Sequence, residues 1–130
     1  MAQLSIELIL VRQLASGLAI PTVVADAGGT LVFLNEPAER LLGVRLDELG
    51  DMPFEVWTTT FRPSDGVGDL EPDQLPLAVA LHDRRPAHGP LRIVGRDGGV
   101  HRIEITAFPL EGAHGQLEGG VAMFWEAATP

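Results

Sequence analysis

The sequence contains no cysteine and no tyrosine, and its three serines, Ser5, Ser16 and Ser64, lie outside any nucleophile-elbow motif. The absence of cysteine excludes disulfides, thiolate nucleophiles and cysteine-based zinc or iron–sulfur sites. The four histidines are scattered without the spacing of a metal site. Acidic residues that stand close together fall on predicted exposed helix faces, where a solvated charge is the default. We therefore predict no catalytic residue, no metal site and no enzymatic activity.

Positive charge is also scarce, since nine basic residues face eighteen acidic ones and the formal net charge is -9. Nucleic acids and anionic membranes both bind basic surfaces, so neither is an expected partner. No apolar run approaches the ~20 residues that span a bilayer. A signal peptide would begin with a positively charged segment, and no basic residue precedes Arg12. We expect a cytoplasmic protein, and the 130 residues suit a single domain.

Residues 3–18 have the apolar periodicity of a helix. Spacings of three and four residues connect one seam, which consists of Leu4, Leu8, Val11, Ala15 and Leu18. Ile6, Ile9 and Leu10 lie off this seam, so the helix is apolar on more than one side. Such a helix either packs one wide stripe on its own domain or also forms a dimer.

Residues 22–34 read as a β-hairpin around the turn residues Asp26 to Gly29. Asn35 follows at the position of a helix N-cap, where its side-chain oxygen can accept a free backbone N–H. Pro37 is tolerated in the first turn of that helix. Gly43 is placed to end it in the left-handed conformation.

The second half predicts a helix over residues 73–84, capped by Asp73 with Pro76 in its first turn. Three antiparallel strands follow at about 88–95, 100–108 and 117–126. A three-residue loop of Asp97, Gly98 and Gly99 would pair Ile93 with Ile103 and Leu91 with Ile105. All four side chains would then lie on one face of the sheet, with Arg92 opposite Glu104 on the other face.

This order of elements resembles the PAS domain, the sensory module of signalling proteins. The matching positions are Asp26, Gly28 or Gly29, Asn35, Leu42-Gly43, Asp97-Gly98, Pro109-Leu110, Gly115 and Gly120. The stretch from Leu75 to Leu81 ahead of Arg85-Pro86 is similar to a helix of bacterial PAS modules. The resemblance implies an α+β fold, a PAS-like five-stranded antiparallel sheet with short helices on one face and a flanking N-terminal helix. Residues 1–19 would form that helix, 20–127 the PAS domain and 128–130 a tail.

The resemblance also implies a pocket between the inner sheet face and the short helices. The side chains expected to line it are Phe54, Trp57, Phe61, Leu77, Leu81, Ile93, His101, Ile103 and Ile105. The alternative is that these side chains simply fill a dry core, since packed interiors leave few voids. Family members hold haem, flavins, small metabolites or fatty acids, or nothing, and the ligand here is left unknown.

Two departures from the family bear on the cofactor. Light-sensing flavin members need a reactive cysteine, so flavin–cysteine photochemistry is excluded. Haem-binding members carry an axial histidine on the long helix. His82 stands near the C-terminal end of that helix beside Asp83 and Arg84, a position that usually faces water, so haem is not expected.

Family members also dimerise through the N-terminal helix and the outer sheet face. The residues predicted at such an interface are Leu4, Leu8, Val11, Leu18, Val94 and Phe108. We therefore expect a sensory signal-transduction module that forms a homodimer, contacts an unidentified signalling protein and holds a small apolar ligand in its core. The alternative is a ligand-free interaction and dimerisation module of a larger kinase, phosphatase or transcription regulator.

Overall fold

The computed structural model describes residues 5–65, 68 and 70–127. Its elements are α1 (Ile6–Ser16), β1 (Thr22–Asp26), β2 (Leu31–Leu34), α2 (Glu36–Leu42), α3 (Leu46–Leu49), α4 (Phe54–Thr60), a 3₁₀ turn (Pro72–Gln74), α5 (Pro76–Asp83), β3 (Ala87–Val94), β4 (Val100–Glu111) and β5 (Leu117–Glu126). The strands form one five-stranded antiparallel sheet in the order β2-β1-β5-β4-β3. The predicted α+β architecture is confirmed. Leu4 and the predicted tail 128–130 lie outside the described residues.

The sheet separates two apolar clusters. The larger one lies between the inner sheet face and α2 to α5, and the smaller one lies on the outer face under α1. Alternation sends neighbouring strand residues to opposite clusters, as Val23 and Val24 illustrate on β1. Among the helices of the described residues, none has the length and apolar composition needed to cross a bilayer.

Helix α1 uses the predicted seam to pack on its own sheet. Leu8 and Ala15 are 3% and 1% exposed, and Val11 packs with Leu8 against the outer cluster that includes Phe108. Leu8 is thus buried within its own chain, whereas Val11 and Phe108 are half-buried there. The predicted dimer interface stays a prediction. Leu18 and Val94 are half-buried.

Asn35 fastens the end of α1 to the rest of the domain. Its Oδ1 accepts the N–H of Ala38 at 3.1 Å, which confirms the predicted N-cap of α2. The same Oδ1 accepts the N–H of Thr22 at 2.9 Å, while Nδ2 donates to the carbonyls of Ala15 at 3.0 Å and Ile20 at 2.8 Å. One buried side chain thus joins α1, β1 and α2. The same helix ends, as predicted, at Gly43 with φ of 69°.

The β3–β4 register differs from the prediction by two residues. Ile93 lies opposite His101 and Leu91 opposite Ile103. The loop closes one residue earlier on both strands, because the N–H of Gly95 donates to the carbonyl of Gly99 at 2.7 Å. Arg92 consequently lies opposite Arg102. The predicted pairing of Arg92 with Glu104 is wrong.

Helix α5 begins later than predicted. Leu75 is extended, with φ of -69° and ψ of 142°, because the ring of Pro76 disfavours the helical conformation for the residue before it. Asp73 therefore does not cap the helix and instead lies in the separate 3₁₀ turn. Pro76 occupies the first helical turn as predicted, and Leu77, Ala78 and Leu81 are buried.

Candidate ligand cavity

A small cavity lies between the inner sheet face and the helices, with a volume of about 70 Å³. All of its lining residues are apolar. They are Val23, Leu31, Leu42, Trp57, Phe61, Pro63, Leu75, Pro76, Leu77, Leu91, Ile93, Ile103, Ile105, Ala122 and Phe124. The cavity lies within the larger cluster, and this is the pocket region that the sequence predicted.

The strands supply one wall through alternation. Ile103 and Ile105 on β4, and Ala122 and Phe124 on β5, are two residues apart and project to the same inner face. The directly opposed pair Ile105 and Phe124 links the two strands across this wall. Because the wall consists of rigid, hydrogen-bonded backbone, its shape is fixed by side-chain size.

Trp57 forms the opposite wall and is held in place by the β1–β2 hairpin. Its indole Nε1 donates to the carbonyl of Gly29 at 2.9 Å, so its single polar atom is paired. Phe54 packs edge-on against Trp57, with ring centroids 5.3 Å apart and planes at 78°. Gly29 has φ of 90°, and a Cβ added there would lie 3.1 Å from Cδ1 of Phe54. Glycine at the turn therefore allows both aromatic rings to approach.

The segment after α4 closes the cavity at the β3 edge. Ser64 and Arg92 exchange two backbone hydrogen bonds of 2.9 Å, and the carbonyl of Phe61 accepts the N–H of Val94 at 2.9 Å. These bonds cover part of an edge strand that would otherwise expose its backbone. They also hold Phe61 and Pro63 over the cavity.

Six of the nine side chains predicted to line the pocket do so, namely Trp57, Phe61, Leu77, Ile93, Ile103 and Ile105. Phe54 packs behind Trp57 instead. Leu81 is buried one turn further along α5, against the backbone of Gly120. His101 lies on the inner side near the end of the sheet, where its Nδ1 is 3.4 Å from Oε1 of Glu126.

The sequence reasoning missed nine lining residues, which are Val23, Leu31, Leu42, Pro63, Leu75, Pro76, Leu91, Ala122 and Phe124. Strand alternation was a sufficient signal for Leu91, which shares the face of Ile93, and for the β1 and β5 residues. Pro63, Leu75 and Pro76 lie outside regular strands and helices or at a helix start. No periodicity could place them, because loop side chains have no repeating direction.

The lining favours a small uncharged occupant. It has no titratable side chain, and no buried side-chain nitrogen or oxygen among the described residues lacks a partner. An engineered apolar cavity of about 150 Å³ holds benzene, and this one has about 70 Å³. A flavin or a haem does not fit a cavity of this size without rearrangement. His82 is exposed on the last turn of α5 and does not line the cavity.

Comparison with known proteins agrees with this architecture. A family model described as the PAS fold matches residues 16–129. A PAS domain from Colwellia psychrerythraea is 18% identical, with a TM-score of 0.66 over 92% of this chain and 96% of that one. The PAS domain of Bordetella pertussis BvgS is 17% identical, with a TM-score of 0.64 over 95% and 87%. A Rhodobacter sphaeroides LOV protein is 13% identical, with a TM-score of 0.74 over 95% and 69%.

No curated protein sequence matches the chain. At identities this low, the similarity to solved structures shows the fold alone. The family model covers most of the chain, including both halves of the sheet and the helices between them. The chain therefore belongs to the PAS-fold family, whose members are in general sensory and signalling modules rather than catalysts.

Proposed function

We propose that this chain is a sensory signal-transduction module that acts as a homodimer, contacts a regulatory protein and holds a small apolar ligand in the inner cavity. Membership of the PAS-fold family supports the general role. The observation that carries the dimer is the exposed face of α1. The proposed site of action is cytoplasmic.

The exposed face of α1 carries an apolar stripe, beside the polar residues Gln13 and Ser16. Ile6, Leu10 and Leu14 follow one another at four-residue spacing and are 67%, 57% and 66% exposed. Ile9 on the same helix is 45% exposed, and Ile20, which follows the helix, is 44% exposed. A contiguous apolar patch on a monomer's surface marks a contact site. The opposite face of α1 already packs on the sheet. A partner can therefore cover the exposed face without displacing α1 from its own domain.

A second copy is the partner that this face fits best. The stripe formed by Ile6, Leu10 and Leu14 is self-complementary, as a two-fold interface between identical helices requires. Few charges stand on α1, where Glu7 and Arg12 are half-buried on the flank. Two such helices can therefore approach without opposing like charges along the stripe.

The dimer is tested by sedimentation velocity at one low protein concentration, at which a weak contact does not populate pairs, on the wild type and on Leu10→Glu with Leu14→Glu. We expect the wild type to sediment as two chains and the variant as one, because each glutamate would place a charge in the apolar contact. Ala113→Glu with His114→Glu adds two negative charges in the exposed β4–β5 loop and is the matched control. A dimer that survives Leu10→Glu with Leu14→Glu would exclude α1 as the interface.

The ligand is tested separately by native mass spectrometry of the purified chain. A non-covalent adduct of low mass that is lost when the cavity is filled by Ala122→Leu would support the sensor. A second candidate function, a ligand-free interaction module of a larger kinase, phosphatase or transcription regulator, is favoured by the small volume of about 70 Å³. It predicts a dimer without an adduct.

A further inference from the structure

Helix α1 covers only part of the outer sheet face and leaves the β3–β4 end open. On this open part, the outward-facing residues lie in rows across the strands. Arg92 and Arg102 are directly opposite each other, and Pro90, Glu104 and Trp125 form the adjoining row. Two arginines thus stand side by side on neighbouring strands with both side chains exposed.

This arginine pair has no acidic partner within the described part of the chain. Glu104 is the nearest acidic residue in the rows, but its Oε2 lies 3.1 Å from Nε2 of His88. Like charges directly opposite each other on a sheet are destabilising. The two arginines therefore repel each other, and a negatively charged surface bound over them would reduce this repulsion.

Exposed apolar side chains border the pair on both sides. Val100 stands in the next row and is 52% exposed, and Trp125 is 43% exposed. Tryptophan and arginine are the residue types most enriched among the energetic centres of protein interfaces. We call Arg92, Val100, Arg102 and Trp125 the arginine patch.

A surface of complementary chemistry exists on the same molecule. Leu49 and Val56 are 39% and 44% exposed, and Asp51 and Glu55 are exposed beside them in sequence. Neither acid is in an ion pair with a described residue. We call these four residues the acidic patch. Away from α1 and Ile20, the large exposed hydrophobic residues of the described chain are the four that belong to these two patches.

The two patches lie at opposite ends of the sheet. The acidic patch follows α3, which packs on the edge strand β2, whereas the arginine patch lies on β3, β4 and the end of β5. Charge is divided in the same way. Segment 26–73 carries eleven acidic residues and three arginines, and so holds -8 of the net charge of -9. One chain therefore cannot satisfy its own patches.

We propose that the arginine patch of one chain binds the acidic patch of a second copy, in a head-to-tail contact separate from the face of α1. A second copy is the occupant because its acidic patch is complementary in charge, with two acids that have no ion pair among the described residues and two exposed aliphatic side chains. The overall charge of -9 opposes the approach of two copies. The attraction between the patches therefore acts only within the Debye length of ~8 Å, and we expect the contact to be weak.

The test uses sedimentation of the full chain over a range of concentrations, in the Leu10→Glu with Leu14→Glu background and in the wild type. We expect the mass to rise with concentration in the background chain and not in two derived variants. One variant is Arg92→Glu with Arg102→Glu, and the other is Asp51→Arg with Glu55→Arg. Arg40→Glu with Arg85→Glu, at exposed positions outside both patches, is the charge-matched control for the first variant and should keep the rise.

Mixing the two variants decides the matter. Each variant alone lacks one patch, but the mixture brings the unchanged acidic patch of one variant to the unchanged arginine patch of the other. The two reversed patches are also of opposite charge, so association that rises with concentration should return in the mixture. Absence of pairs in the mixture would overturn the proposal, as would an unchanged rise in either variant or no rise in the background chain. Persistence of the α1 dimer in the wild type is read independently, so failure of the proposed function and failure of this contact are distinguishable.

Discussion

Replacing Asn35 tests whether the domain depends on this one side chain to hold α1 in place. In Asn35→Ala, α2 loses its N-cap, which costs about 0.5–2 kcal/mol. The N–H of Thr22 also loses its partner, and Thr22 is 1% exposed. A buried donor left unpaired costs a further ~1–3 kcal/mol. The carbonyls of Ala15 and Ile20 retain other donors, so we expect a total loss of about 2–4 kcal/mol.

Asn35→Asp separates the cap from the connection to α1. Aspartate caps helices as well as asparagine does, so a residue that acted only as a cap would tolerate this change. Aspartate keeps an oxygen for Thr22 and Ala38 but presents a second oxygen to the carbonyls of Ala15 and Ile20, which need a donor. We therefore expect Asn35→Asp to lose more than about 1 kcal/mol, the net value of one hydrogen bond.

The assay is urea unfolding followed by far-UV circular dichroism at one fixed protein concentration, because association shifts apparent stability. Ser5→Ala, which removes only the 3.3 Å cap of α1, is the comparison and should cost about 0.5–1 kcal/mol. Wild-type stability in Asn35→Asp would refute the reasoning, since Nδ2 would then contribute nothing to the attachment of α1.

Two further predictions concern the cavity and its supporting turn. Val23→Ile adds one methylene group to the cavity and should stabilise the fold by up to about 0.8 kcal/mol. The same change at Val24, which is 0% exposed on the outer face, should destabilise it by about 1–3 kcal/mol, and equal effects at the two sites would contradict the position of the cavity. Gly29→Ala and Gly98→Ala both place alanine at a φ near 90°, costing roughly 1–2 kcal/mol. Only Gly29→Ala also presses on Phe54, so thermal unfolding should show the larger loss there.

The features that the sequence predicted correctly are those set within a few residues. The hairpin from Thr22 to Leu34, the cap at Asn35 and the stop at Gly43 each depend on a turn residue and its immediate neighbours. The predicted start of α5 is wrong, although the effect that decides it is equally local. The prediction allows Pro76 in the first helical turn. It leaves out that proline disfavours a helical conformation at the residue before it, which here is Leu75.

The orientation of α1 could not be predicted in the same way. Both faces of the helix carry apolar residues at helical spacing, and the periodicity does not say which face meets the sheet. Leu8 and Ala15 face inward because the connection through Asn35 draws the end of α1 against β1. That bond joins residues 20 apart in sequence, so no local pattern contains it.

The β3–β4 register explains why the cavity was largely predicted while the surface was not. Both Gly98 and Gly99 suit a left-handed turn position, and the structure uses Gly98, with φ of 91°. The resulting shift is even, so Leu91, Ile93, Ile103 and Ile105 remain on the inner face, which alternation alone decides. Which residues oppose each other depends on the shift itself. The expected pair of Arg92 and Glu104 is thereby replaced by two opposed arginines. The charges that meet on the outer face therefore depend on whether Gly98 or Gly99 takes the left-handed turn position.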